Sequence, residues 1–177
     1  YKRQLSIYHG EWPYVTTTDT NVCGILSECG IAPGPDITST LVVRTYPIRV
    51  AGNSGPLNGE LDWTQVSNRV GRHIEERTTV TKKIRRVGEW DDALYSRSVM
   101  LNAPTNIALM FADYIEPELA NKSTVKETVW ADKQNKLGTG ILDWMDQYTS
   151  IDPDRLVYLG TGPKSVITLP SPIVDFD

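Results

Sequence analysis

The chain reads as an α/β protein, a mainly parallel sheet with flanking helices, and three observations carry that reading. Stretches of strand character alternate with stretches of helical period along most of its length. Asn106 to Phe111 is a short continuous apolar run bounded by Pro104 and Asp113, the pattern of a strand buried in a parallel sheet. Asp113 and Gly160-Thr161-Gly162 each follow such a run, and the carboxyl ends of strands are where open α/β sheets meet ligands.

In chain order, residues 4 to 8 predict a short strand and His9 to Pro13 a turn. Tyr14 to Thr20 brings four threonine hydroxyls and the Asp19 carboxylate to the start of a helix with apolar positions Val22, Ile25, Leu26 and Cys29, ended by Gly30 at C′. Such an N-terminus caps the helix and also offers amides to a phosphate or carboxylate. After Pro33-Gly34-Pro35, the β-branched stretch Thr38 to Val50 predicts one long strand bent at Pro47. Ala51 to Pro56, with two glycines, is a loop that lets backbone approach a ligand. Asp62 caps a helix carrying Trp63, Val66 and Val70 on one face, and Asp91 or Asp92 caps another that stops at Pro104. Residues 117 to 136 are polar and predict a helix or hairpin with Trp130 packed inward. Gly140 to Tyr148 is an amphipathic helix with Trp144 and Tyr148 at i, i+4, and Arg155 to Leu159 is the last clear strand.

Composition bounds the function. With 177 residues, 40% hydrophobic and 23% charged, one α/β domain over residues 1–177 is expected. A net charge of −4 and a pI near 5.2 argue against a nucleic-acid partner. No apolar run approaches the roughly 18 residues that a membrane span requires, so no membrane partner is expected. Cys23 and Cys29, six apart, match no zinc spacing and predict two reduced core thiols in a cytoplasmic protein. The chain opens without Met and with an alternating pattern under way, which predicts a piece of something longer.

Within this acidic chain, Thr78 to Gly88 places four cationic side chains within five positions, preceded by threonines and closed by glycine. Hydroxyls, backbone amides and fixed positive charge together suit a small anion, although a charge run alone reads as a solvated loop. The segment is expected as a loop between two helices. His9 and His73 are isolated, no nucleophile stands in a recognisable context, and Gly160-Thr161-Gly162 is neither a Walker nor a Rossmann fingerprint. The residues by themselves reach a site for a nucleotide or an anionic metabolite.

Five motifs narrow this. Tyr14-Val15-Thr16-Thr17-Thr18-Asp19-Thr20, Tyr46-Pro47-Ile48-Arg49-Val50-Ala51-Gly52, Thr81-Lys82-Lys83-Ile84-Arg85-Arg86-Val87-Gly88, Phe111-Ala112-Asp113 and Gly160-Thr161-Gly162-Pro163 resemble the C-terminal half of adenylosuccinate synthetase, in its order and approximate spacing. The family's N-terminal half, with its phosphate loop and catalytic residues, is then expected upstream of Tyr1, leaving no catalytic residue in this chain and the fragment alone inactive. The resemblance implies a ligase that joins L-aspartate to IMP, driven by a nucleoside triphosphate, GTP, with Mg2+ bound by upstream ligands, in a homodimer. It implies that Thr16, Val50 and Lys83 hold the purine nucleoside monophosphate. Thr79, Val80, Thr81, Lys83 and Arg85 would close over aspartate, and Arg85, Asp113, Gly160, Thr161 and Gly162 would serve the triphosphate.

Three departures stand out. Lys82-Lys83-Ile84 replaces the first three members of the family's glycine and four arginines, Phe111-Ala112-Asp113 replaces Lys-Leu-Asp, and Gly160 replaces a usual serine. These resemble the divergent branch that includes phage enzymes, which implies dGMP as acceptor and ATP as donor as the alternative. A non-catalytic nucleotide-binding or interaction module is a further alternative.

Overall fold

The computed structural model describes residues 6–34, 37–124 and 139–169. β1 (Thr40–Arg44), β5 (Asn106–Met110), β6 (Leu156–Gly162) and β7 (Ser165–Thr168) form one sheet in the order β1-β5-β6-β7. β1 runs parallel to β5 and β5 to β6, and β7 returns antiparallel, so the mainly parallel α/β class is observed. Paired on both edges and covered on its faces, β5 buries Ile107, Ala108 and Leu109 in succession, which is why its sequence does not alternate.

A second, smaller sheet was not foreseen. It is antiparallel, order β2-β4-β3, from β2 (Ile48–Arg49), β3 (Glu60–Leu61) and β4 (Arg86–Gly88). The long strand expected over Thr38 to Val50 is therefore two strands in two sheets. The Thr45 amide still donates to Met110 O at 3.2 Å and its hydroxyl to Phe111 O at 2.9 Å. Pro47 has no N–H with which to continue that ladder, and its carbonyl instead accepts from Gly88 N at 3.0 Å, opening the second sheet.

Four helices flank the sheets among the described residues. In α1 (Val22–Glu28) Asn21 is the cap, accepting from Gly24 N at 2.7 Å, and Gly30 takes φ 66° beyond the C-terminus, as expected of C′. Asp62 and Gln65 form a full capping box on α2 (Trp63–Val70), whose Trp63, Val66 and Val70 are buried as predicted. Asp91, not Asp92, caps α3 (Asp92–Asn102), while Asp92 accepts from the Ser150 amide at 2.7 Å. In α4 (Thr139–Tyr148) Ile141 and Met145 are buried and Trp144 meets Trp90 edge-on at 5.5 Å, but Tyr148 faces outward, so the expected i, i+4 pair does not pack inward.

Two clusters make the core. One joins Leu41, Tyr95, Leu109, Ile141 and Leu159 around the large sheet, the other Tyr46, Trp63, Val66, Val87 and Tyr114 around the small one, and Ile115 packs against both. Two expectations fail here. Residues 6–8 are a turn, because Ser6 Oγ accepts the amides of Tyr8 and His9 and donates to Asp19 at 2.6 Å, satisfying locally what a strand would satisfy by pairing. Cys23 and Cys29 are exposed, since α1 lies on the surface and buries none of its residues. Of the stretch 117–136 expected as a helix or hairpin, Pro117–Leu119 is a 3-10 turn, and residues 125–136, Trp130 among them, lie outside the described residues. No helix among the described residues is long and apolar enough to cross a membrane.

Candidate functional site

A cavity of about 940 Å³ opens where β1, the 50–54 loop and the start of α3 face one another. Its floor is Thr40 to Arg44, one wall is Arg49 to Ala51 with Asn53 and Ser54, another is Trp90, Leu94 and Tyr95, and Tyr14, Val15 and Arg85 stand at its rim. Burial pushes the Tyr95 phenol up to about 12, so that wall offers a neutral hydroxyl. Of the sequence-predicted residues, Val50 and Arg85 line this space together.

Arg85 is aimed by its backbone. Its amide donates to Glu76 O at 2.9 Å and its carbonyl accepts from the Trp63 indole at 2.7 Å, fixing the residue between α2 and the segment before it. Its Nε is buried and has no hydrogen-bond partner among the described residues. A guanidinium held with a donor unspent is suited to a carboxylate or phosphate.

The rest of the basic segment is a hairpin tip, not a loop between helices. Arg77 and Ile84 form an antiparallel bridge and Arg86 enters β4. Inside the tip, Thr78 N donates to Lys83 O at 2.9 Å, Lys82 N to Thr78 O at 3.1 Å and Lys83 N to Thr78 Oγ1 at 3.0 Å, and the Thr78 and Thr81 hydroxyls lie 2.6 Å apart. Lys82 takes φ 54°, a conformation glycine adopts without cost, at the position where the family resemblance expects glycine. Thr79, Val80, Thr81 and Lys83 are all exposed on this tip and none lines the cavity.

Thr16 is likewise exposed, its hydroxyl donating to Thr18 O at 3.2 Å, one residue beyond the cavity-lining Val15. Asp113 sits in a 3-10 turn just past β5, as expected, but only 4% exposed and ion-paired to Arg72. Burial raises its carboxyl above the ordinary aspartate range, Arg72 opposing that rise, and Oδ1 is left buried without a partner. Gly160-Thr161-Gly162 does not follow the last strand; it is the end of β6, paired to β7 across a bulge. The Thr161 hydroxyl is fully buried and donates to Lys122 O at 2.5 Å, so it is spent inside the fold.

Two arginines went unassigned in the sequence, Arg49, which lines the cavity, and Arg86, which lies behind its 50–54 wall. Arg49 is buried with a terminal nitrogen 2.6 Å from Ser54 O, and Arg86 braces the same loop. Their signal was the motif position beside Val50 and Arg85. Among the described residues no three His, Cys, Asp or Glu side chains converge where a metal ion could sit; the Mg2+ ligands are expected upstream of Tyr1.

The adenylosuccinate synthetase family model matches residues 3–122. The chain is 30% identical to the adenylosuccinate synthetase of Methanocaldococcus jannaschii over 160 residues, 90% of this chain and 42% of that one, and 35% identical to that of Methanosphaera stadtmanae over 165 residues, 93% and 44%. Among solved structures it is similar to the succinoaminodeoxyadenylate synthetase of cyanophage S-2L bound to dGMP and dATP, with a TM-score of 0.68, 26% identity, and coverage of 95% of this chain and 44% of that one. The fully ligated adenylosuccinate synthetase of Plasmodium falciparum shares the fold, with a TM-score of 0.67 and 22% identity over 95% and 48%. The chain thus spans less than half the length of these relatives, and with the family model matching over more than half of its own residues, it belongs to the adenylosuccinate synthetase family.

Proposed function

We propose that this chain is the nucleotide- and aspartate-holding part of a purine nucleotide ligase that joins L-aspartate to C6 of IMP at the expense of GTP. In that reaction the terminal phosphoryl group passes to the purine O6. The aspartate amine then attacks C6, and phosphate leaves with that oxygen. The observation that carries the reading is that Val50 and Arg85, expected at the monophosphate and at aspartate or triphosphate, line one cavity of nucleotide size.

The Arg85 guanidinium, fixed by its backbone and with Nε unspent, binds an anionic substrate by charge-assisted hydrogen bonds. The Val50 side of the cavity packs the ribose. The Thr79 to Lys83 tip folds over aspartate and excludes water from the phosphorylated purine, a closure that its 89% exposed Val80 leaves room for. Asp113 Oδ1 accepts from a base edge of the triphosphate once Arg72 yields. Mg2+, a homodimeric assembly and a cytoplasmic setting belong to the same reading.

A second reading, dGMP as acceptor with ATP as donor, is favoured by the likeness to the cyanophage enzyme. Product identification by mass spectrometry decides between them, with the whole polypeptide offered IMP or dGMP, aspartate, and GTP or ATP. Absence of a C–N coupled product in all four mixtures defeats both readings.

A further inference from the structure

Arg86 holds the loop that forms one wall of the cavity. Its Nε and one terminal nitrogen each lie 2.6 Å from an oxygen of Glu60, a bidentate pair across β4 and β3. The other terminal nitrogen faces three acceptors of the 50–55 loop: Gly55 O at 2.9 Å, Ser54 Oγ at 3.2 Å and Gly52 O at 3.4 Å. The Glu60 carboxyl is held below the usual carboxylate range by these hydrogen bonds from Arg86.

The loop is gripped from its other side as well. Arg49 donates to Ser54 O at 2.6 Å, and Ser54 Oγ donates to Val50 O at 2.6 Å, tying the loop to the residue that lines the cavity. Gly55, at φ 97°, has no space for a side chain: a Cβ would stand 2.9 Å from an Arg49 nitrogen and 2.9 Å from the Tyr14 ring. Two guanidinium groups thus close on a two-glycine loop that would otherwise be among the more mobile parts of the surface.

From this arrangement we propose that Arg86, anchored by Glu60, is a positioning residue for the nucleoside monophosphate. It fixes the 50–55 loop so that Val50 faces Arg85 across the cavity. The proposal rests on the ligase reading for its substrate and on geometry for its mechanics. Arg86 touches no reacting atom. Its neighbour Arg85 points to the cavity while Arg86 points to the loop, as alternation along an extended chain requires, so one segment sets both walls. Lysine cannot replace it, because a single ammonium cannot grip a carboxylate bidentately and reach the loop carbonyls together.

Arg86→Lys and Glu60→Gln, both chosen to leave the fold intact, test it, with Arg69→Ala as control because Arg69 pairs with Glu89 at 2.8 Å on the exposed surface. Two quantities are read: amide hydrogen exchange over 50–56, where Ser54 N donates to Gly52 O at 2.9 Å, and the KM and kcat for each substrate. The expected result is exchange over 50–56 faster by about fivefold or more. KM for the monophosphate rises about tenfold with kcat within about threefold and KM for aspartate unchanged, while the control stays at wild-type values. Unaltered exchange in folded Arg86→Lys overturns the clamp, as does an equal rise in KM for aspartate. If the unsubstituted protein couples aspartate to no nucleotide, the ligase reading has failed, and exchange over 50–56 still decides the clamp.

Discussion

The Arg44 guanidinium lies over the Phe111 ring, 3.9 Å from its centroid, while a terminal nitrogen reaches a Glu76 carboxylate oxygen at 2.5 Å. Phe111 stands where the family resemblance expects lysine, and a lysine there would confront Arg44 with like charge; the aromatic face accepts it instead. Glu76 also accepts from the Tyr114 hydroxyl at 3.3 Å, so this ion pair joins β1 to the turn after β5. Both side chains are less than a fifth exposed, and removing one partner strands a charge in a poorly solvated place. Glu76→Ala is expected to lower stability by about 1–3 kcal/mol, more than Glu89→Ala at the exposed Arg69 pair, where about 0–1 kcal/mol is expected. Urea denaturation of both variants checks it; equal losses would contradict the assigned role.

Asp113 sets the stability of the same region against pH. Its carboxyl is raised by burial, so the native state keeps the proton longer than the unfolded chain does. The contribution therefore favours folding below the ordinary aspartate value and is lost as pH rises through the raised folded value, from about pH 4 upward. Asp113→Asn carries no titrating group there. Its stability relative to wild type is expected to rise across that window and to be no lower at pH 7, with KM for the triphosphate raised. Denaturant midpoints measured from pH 3 to pH 7 check the sign, and a wild-type advantage that grows with pH would refute it.

These two sites show which parts were legible in advance. The helices α2 and α3 were readable because caps and apolar period agree locally, and β5 because a strand buried on both faces needs no partner to be recognised. The break at Thr45 was not, since a β-branched run looks the same whether its ends enter one sheet or two, and only the Thr45 and Pro47 hydrogen bonds decide. Asp113 was placed correctly past β5, but Arg72, its ion-pair partner, is 41 residues away and gave no local signal. The threonines and lysines of the basic segment were recognised by motif, whereas their separation from the cavity depends on a hairpin that the Arg77 and Ile84 bridge closes.

Arg85 is the sequence-predicted cation that does line the cavity, and the consequence can be measured. Arg85→Ala removes the unspent guanidinium while leaving the backbone bonds to Glu76 and Trp63 available. In the whole enzyme, use of aspartate or of the triphosphate is expected to weaken at least about tenfold, roughly 1.4 kcal/mol of lost binding to the transition state. Steady-state kinetics with each substrate varied in turn check it, and unchanged constants for both would remove Arg85 from the site.

Gly160 shows how a departure from the family can be a packing matter. A Cβ there would collide with the Met110 thioether end, with Sδ at 2.7 Å and the Met110 Cα at 3.2 Å. Met110 ends β5, lines the cavity and lies beside Gly160 because β5 and β6 pair in parallel. A serine, which the family resemblance expects at this position, would drive the Met110 side chain toward the cavity. The Met110 Cα, being backbone, yields less than the thioether. Gly160→Ser is therefore expected to cost about 1–3 kcal/mol through overpacking. Shortening the opposing side chain should return part of that loss, so the double variant Gly160→Ser/Met110→Ala should be more stable than the sum of the single changes by about 1 kcal/mol. A thermodynamic cycle from denaturant unfolding measures the coupling, and strict additivity would mean that serine fits beside Met110 after all.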